Sequence, residues 1–209
     1  MSTARIQKIV TSGQFCLDGG AWDVDNNVWL IGDDAEVLVI DAPHDAPAIL
    51  DAIGGRTVVA IVLTHGHNDH INAAVELGAA TGAQVWFPPE DRMLWDAEHT
   101  TPPDQELHSG ATFEVAGTTL RAIPTPGHSP GSICLYAPEL GAVFTGDTLF
   151  NGGPGATGRS YSDFDTIIES IRERLLTLPD ETVVHTGHGD DTSVGSEKPH
   201  LDEWIKRGP

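Results

Sequence analysis

The sequence predicts an α+β or mixed α/β layered domain, in which helices cover sheets. Two observations carry this reading. Short runs rich in Val, Ile and Leu recur along the chain with Gly, Pro or Asp between them, the mark of many short strands. Helical spacing of apolar residues appears in only a few places, and no Ser/Gly/Pro tract acts as a linker within the 209 residues. All of 1–209 is therefore read as one domain.

The elements follow in order. Strands are expected at 6–10, 28–31 and 36–40, then a helix at 46–53. The aliphatic run 58–63 is the next strand and the longest such run, far short of a membrane span. A helix is expected at 69–81, ended by Gly82 as a C-cap. Strands follow at 84–87, 112–115, 118–123, 132–136 and 142–145. The Gly-rich stretch 151–158 is a loop. In 163–178, Phe164, Ile167, Ile168, Ile171, Leu175 and Leu178 fall on one helical face. Ser162 stands ready as its N-cap and Pro179 ends it. A strand at 182–185 and a short helix at 201–206, burying Leu201, Trp204 and Ile205, complete the chain.

Composition removes several functions. Lys and Arg number 11 against 31 Asp and Glu, a formal charge of −20. Such a surface repels nucleic-acid backbones and anionic lipid, so neither is an expected partner. Cys16 and Cys134 form no disulfide framework and read as small apolar fillers. Residues 1–13 lack an apolar core followed by a cleavage site, so a cytoplasmic location is expected.

Ten histidines are the compositional oddity. Thr64-His65-Gly66-His67-Asn68-Asp69-His70 follows the 58–63 strand directly. His65 and His67 lie two apart, so an extended segment points both rings the same way. Asp69 and His70 start the next helix and can face a second ion. Three imidazoles and a carboxylate make a donor set for Zn, Fe, Mn, Co or Ni. His128, Asp147 and His188 share a setting: each sits in a tight Gly-containing loop after a strand. Asp41 ends a strand and is placed to orient a ligating imidazole. His99, His108 and His200 read as surface, His185 as core or a neighbour of the site, and His44 as a loop residue, with an approach to the site as its alternative.

The ordered set His-x-His-x-Asp-His, lone His, Gly-Asp and Gly-His resembles the metallo-β-lactamase superfamily, across about 28–189. The resemblance implies a four-layer αββα sandwich with metals at one edge. It implies that His65, His67 and His128 hold one divalent ion, that Asp69, His70 and His188 hold another, and that Asp147 bridges them. Zinc is the expected metal, with iron or manganese as alternatives. In the family's β-lactamases Cys or Ser replaces the bridging aspartate, so Asp147 points instead to short relatives of glyoxalase II (hydroxyacylglutathione hydrolase). The implied reaction is attack of a metal-bridging hydroxide on a thioester of a low-molecular-weight thiol, with Asp69 and Asp147 catalytic.

This chain departs from full-length glyoxalase II. Only a short tail follows His188, and the lysines are Lys8, Lys198 and Lys206. The thiol carrier is therefore open: glutathione, mycothiol or coenzyme A. Arg159 resembles the family's Gly-Arg segment and can meet an anionic substrate group. Two alternatives share the site: a mononuclear Fe(II) persulfide dioxygenase using His65, His128 and Asp147, and a lactonase with a pocket from Trp86, Phe87, Met93 and Trp95. A homodimer contact through Trp204 and Ile205 is a further expectation, secondary to core packing.

Overall fold

A computed structural model describes residues 4–209. Residues 1–3, part of the segment read for a leader, lie outside the described residues. The first sheet contains β1 (Arg5–Leu17), β2 (Gly20–Gly32), β3 (Glu36–Ile40), β4 (Thr57–Val62), β5 (Val85–Phe87) and β6 (Gln105–Glu106), in that order. β1–β2 and β2–β3 pair antiparallel, and β3 through β6 pair parallel. Helices α1 (Ala46–Ile53), α2 (Asn68–Ile71), α3 (Ala74–Thr81) and α4 (Arg92–Glu98) lie between these strands or beside them.

The second sheet contains β7 (Thr112–Val115), β8 (Thr118–Pro124), β9 (Ile133–Ala137) and β10 (Ala142–Gly146). A small ribbon, β11 (Leu149–Phe150) with β12 (Gly153–Pro154), precedes helix α5 (Phe164–Ser170). Strands β13 (Val183–Thr186) and β14 (Thr192–Ser193) complete the sheet in the order β14-β13-β10-β9-β8-β7. Helices α6 (Val194–Glu197) and α7 (Leu201–Arg207) end the described chain.

Side-chain alternation builds the layers. In β2, Val28 and Leu30 join one apolar cluster with Ile49 and Leu77, while Trp29 and Ile31 join another with Leu120, Leu135 and Phe144. Period-two alternation thus sends neighbours to opposite faces. A third cluster packs Val143 and Val184 against Ile167, Ile171, Leu175 and Trp204. Helix, sheet, sheet and helix follow one another: the expected four-layer αββα sandwich. Backbone bonds staple the sheets along one edge, Asn27 N–H to Gly187 O at 2.8 Å and Ile133 N–H to Thr64 O at 2.8 Å.

Several expectations need correction. The first two strands run far beyond 6–10 and 28–31, as a long hairpin of thirteen-residue strands. The helix expected at 69–81 breaks because Ala73 N–H donates to Ala42 O at 3.0 Å instead of continuing the helical ladder. The N-cap of α5 is Asp163, whose carboxylate accepts from Thr166 N–H, not Ser162. Ser162 Oγ accepts instead from the Gly158 and Arg159 amides. α5 then widens into a π-helical turn, Ile171–Leu175, which keeps Ile171 and Leu175 buried. β6, α4, β11, β12, β14 and α6 were not expected. Cys134 is a buried filler, but Cys16 is exposed on the hairpin. Trp204 is buried, so it serves the core, while Ile205 is exposed. No helix among the described residues is long and apolar enough to cross a membrane.

Candidate metal centre

The site lies where strand ends of both sheets meet. β4 delivers His65 and His67, α2 delivers Asp69 and His70, and the loops after β8, β10 and β13 deliver His128, Asp147 and His188. All seven residues come together. Donor atoms of His65, His67 and His128 lie within 4.8 Å of one another, as do those of Asp69, His70 and His188. Asp147 reaches both groups: Oδ1 is 3.3 Å from His70 Nε2, and Oδ2 is 3.3 Å from His188 Nε2 and 3.5 Å from His128 Nε2.

Backing groups aim the rings. His128 Nδ1 lies 2.8 Å from Ala156 O, and His188 Nδ1 lies 2.8 Å from Asp25 O. A carbonyl only accepts, so each Nδ1 carries its proton and each Nε2 turns inward. His70 Nδ1 donates to Asp41 Oδ2 at 2.8 Å. Asp41 also accepts from Thr64 N–H and Thr64 Oγ1–H, at 2.8 and 2.9 Å. It holds this place with φ +61°, a left-handed conformation that Asp tolerates better than most residues. The strand-end reading of Asp41 thus agrees with its contact.

Charge is divided unevenly. Burial depresses His65 strongly and lowers His67 to about 3, so both rings are neutral. Burial opposes charge on His188 as well, yet Asp147 and Asp69 raise it to about 10. His70 moves up for the same reason, burial being outweighed by Asp147, Asp69 and Asp41. Burial would raise Asp69, but His70, His188 and Asn26 bring it to about 2. Among the described residues, four buried atoms have no hydrogen-bond partner: His67 Nε2, Asp69 Oδ1, His128 Nε2 and Asp147 Oδ1. Orphaned buried donors and acceptors are costly. Clustered imidazole and carboxylate atoms without partners are what a divalent cation satisfies, and the set fits such an ion.

Beside these groups is a cavity of about 230 Å³, with Phe15, Val24, Phe150, Ala156 and Arg159 on its walls. The guanidinium of Arg159 stacks 3.9 Å from the Trp22 ring centre and 5.1 Å from that of Phe15. Ser160 N–H donates to Asp18 Oδ2 at 3.1 Å, tying the 159–160 loop to the β1–β2 hairpin. The apolar wall is not the one expected. Trp95 and Phe87 pack in the core with Ile61 and Leu77, and Trp86 packs edge-on against Phe113. Met93 is exposed and absent from the cavity wall. The lactonase reading loses its pocket.

Three residues have roles that the sequence reading did not assign. Asn26 is fully buried and sits 3.1 Å from Asp69 Oδ2. His44 is half-buried and hydrogen-bonded rather than a free loop residue. Asp91 is fully buried and accepts from Gly66 N–H, Ser129 Oγ–H and Gly131 N–H, at 2.7, 2.6 and 2.6 Å. An Asp beside Pro89 and Glu90 carries no local signal. Glycines at both loops were its only trace: a Cβ at Gly66 would meet Asp91 Cβ at 2.8 Å, and one at Gly131 would meet Asp91 Cγ at 2.7 Å. His185, read as core or site neighbour, is core: it packs on Trp29 and Phe144 and pairs with Asp191 at 2.9 Å.

An αββα sandwich with clustered His and Asp donors at the meeting edge of its sheets defines a metal-dependent enzyme scaffold. The chain belongs to the metallo-beta-lactamase superfamily, whose family model matches residues 21–188. It is 33% identical over 189 residues to the hydroxyacylglutathione hydrolase GloC of Haemophilus influenzae, covering 82% of this chain and 89% of that protein. It is 35% identical over 188 residues to the probable metallo-hydrolase YqgX of Bacillus subtilis, covering 83% and 89%. Among solved structures, the BLEG-1 B3 metallo-beta-lactamase has a TM-score of 0.78 at 28% identity, covering 91% of this chain and 98% of that one. TTHA1623 in a di-iron-bound form scores 0.75 at 32%, covering 84% and 93%. ETHE1 from Myxococcus xanthus scores 0.71 at 28%, covering 91% and 83%.

The charge pattern predicts how the chelated protein responds to pH. His188 moves from 6.5 to about 10, so its stabilisation is whole below 6.5 and fades as pH climbs through 10. Asp69 moves from 3.8 to about 2, so its stabilisation is whole above 3.8 and fades as pH falls through 2. His67 moves from 6.5 down to about 3, so its stabilisation is whole above 6.5 and fades as pH falls towards 3. Melting scans on chelated protein should therefore decline from pH 7 towards 10, and on the acid side from about pH 6.5 downwards. Saturating zinc should flatten the alkaline decline, because the ion replaces the protons. A flat alkaline limb without zinc would contradict the assignment.

Proposed function

We propose that this chain hydrolyses a thioester of a small thiol, using two divalent ions, with zinc as the favoured metal. The observation that carries this is Asp147, which stands within 3.5 Å of inward nitrogens from both histidine groups. His65, His67 and His128 would hold one ion, Asp69, His70 and His188 the other, with Asp147 shared. When bound, such a pair supplies Lewis acidity for a carbonyl oxygen and acidifies water near neutral pH.

The protein's own groups do the rest. Asp69 stays ionised, tied at Oδ2 by Asn26 while Oδ1 has no hydrogen-bond partner among the described residues. That oxygen is placed to accept a hydrogen bond from an attacking water and orient it. The water oxygen bonds to the acyl carbon, the C–S bond breaks, and the acid and the thiol leave. A thiolate needs little protonation to depart, its pKa being about 8.5. The walls of Phe15, Val24 and Phe150 suit the apolar part of a substrate. Arg159, with its guanidinium on Trp22, offers bidentate donors to a substrate carboxylate.

The test is metal content by elemental mass spectrometry, followed by thiol release from a panel of thioesters. About two ions per chain, with thioester cleavage lost on chelation, is the expected result. One iron per chain, with oxygen uptake on a persulfide and no thioester cleavage, would replace this reading with the dioxygenase. Arg159→Met should raise KM for a carboxylate-bearing thioester about tenfold with kcat held, the signature of lost uniform binding. An unchanged KM would remove Arg159 from the substrate site.

A further inference from the structure

We infer that His44, locked in one tautomer by Asn72, orients the Asn26 amide that positions Asp69. This inference rests on the metal-centre reading above and assigns roles to residues outside its ligand set.

The argument is one of donors and acceptors. The His44 backbone N–H is 2.6 Å from Asn72 Oδ1. A backbone N–H can only donate, so that atom of Asn72 is its oxygen and the amide orientation is fixed. Asn72 Nδ2 then donates to His44 Nδ1, at 3.2 Å. Nδ1 is thereby an acceptor, and the proton of the neutral ring lies on Nε2. Burial lowers the pKa of His44, which favours that neutral ring. His44 Nε2–H donates to Asn26 Oδ1 at 2.9 Å. The Asn26 oxygen is thus turned away from the centre, and its NH₂ faces Asp69 Oδ2 at 3.1 Å, with His70 Nε2 and His188 Nε2 at 3.3 and 3.4 Å. A reversed Asn26 would set its oxygen against the carboxylate.

The chain has arranged itself for this contact. His44 adopts φ +60°, a left-handed conformation disfavoured for a residue with a side chain. Its ring lies on the backbone of Gly13, where any Cβ would collide with Nδ1. Strain, a glycine cradle and a fixed tautomer converge on one hydrogen bond. A ring that merely filled space would need none of the three.

His44 is a positioning residue, acting on Asp69 through Asn26. Its test compares His44→Phe, which keeps a ring without nitrogens, with His44→Gln, which restores an N–H donor. Zinc is titrated into chelated protein against a chromophoric chelator, to resolve binding step by step. Expected for His44→Phe is a loss of about 10- to 100-fold in one step, the range for partners of metal ligands, with the other step held within about twofold. His44→Gln should recover most of that loss. ¹⁵N NMR of wild-type histidines should show His44 as the Nε2–H tautomer. If His44→Phe does not fold, His44→Ala replaces it. Equal loss in both steps, no loss in either, no recovery by His44→Gln, or an Nδ1–H tautomer would overturn the inference. Absence of zinc binding in wild type would instead overturn the metal-centre reading beneath it.

Discussion

His67→Ala is expected to abolish metal retention at the His65–His67–His128 group and activity together, while the chain stays folded. The His67 ring packs edge-on against His65, His128 and Phe15. Burial holds its pKa at about 3, so it is a neutral imidazole with a lone pair, as a metal ligand must be. Its Nε2 has no hydrogen-bond partner among the described residues. Truncation breaks no hydrogen bond at that atom and loses only the 3.1 Å contact of Nδ1 with His65 Nε2, so the chelated variant should stay folded while melting below chelated wild type. Zinc should then separate them. A ligand at 100 times its Kd stabilises by about 2.7 kcal/mol, a gain the variant should lose at that site. Thioester cleavage should fall by more than about 100-fold, since even the outer partners of metal ligands are worth about 10- to 100-fold. Melting with and without zinc, metal content and thiol release check all three. A variant that cleaves substrate without metal would sink the scheme.

Much of this candidate centre was legible because its proposed ligands obey local rules. His65 and His67 keep the period of an extended strand end, and His128, Asp147 and His188 each follow a strand the apolar runs had marked. The core was legible for the same reason, since alternation in β2 and β4 sorts side chains between faces. What escaped depends on partners distant in sequence. Asn26 acts on Asp69, 43 positions away, and its role lies in an amide orientation that no spacing encodes. His44 gave no sign of its left-handed backbone, and the glycine that accommodates it is Gly13, on another strand. The break after α2 arises from a bond to Ala42 on the far side of a loop. Asp163 took the cap from Ser162 because one residue of backbone geometry decides between two good cap formers, the boundary error to which local signals are most prone.

The second large effect is expected at Asp91, which touches no proposed ligand side chain. Its carboxylate binds the amide of Gly66, between His65 and His67, and the amide of Gly131 with the hydroxyl of Ser129, beside His128. One side chain thus ties together the two loops that bring that histidine group into register. Burial pushes the carboxyl pKa up, and the three donors pull it back only in part. It has no cation partner among the described residues in the salt bridges of this fold. Its stabilising contacts are therefore the hydrogen bonds. Asp91→Ala strands three donors, each costing about 1–3 kcal/mol when buried and unmatched. With water refilling part of the space, a net loss of about 3–5 kcal/mol is expected. Asp91→Asn keeps the volume and one acceptor oxygen, but turns an NH₂ towards a donor, so about 1–3 kcal/mol is expected. Denaturant unfolding of the chelated proteins gives both values. Zinc affinity separates anchoring from bulk stability, because Asp91→Asn should still fold yet bind zinc at least about tenfold more weakly. If Asp91→Asn binds zinc as wild type does, the carboxylate stabilises the fold without setting the loops. If Asp91→Ala is as stable as wild type, water replaces the carboxylate, and the geometry of the two loops is held by their own backbones.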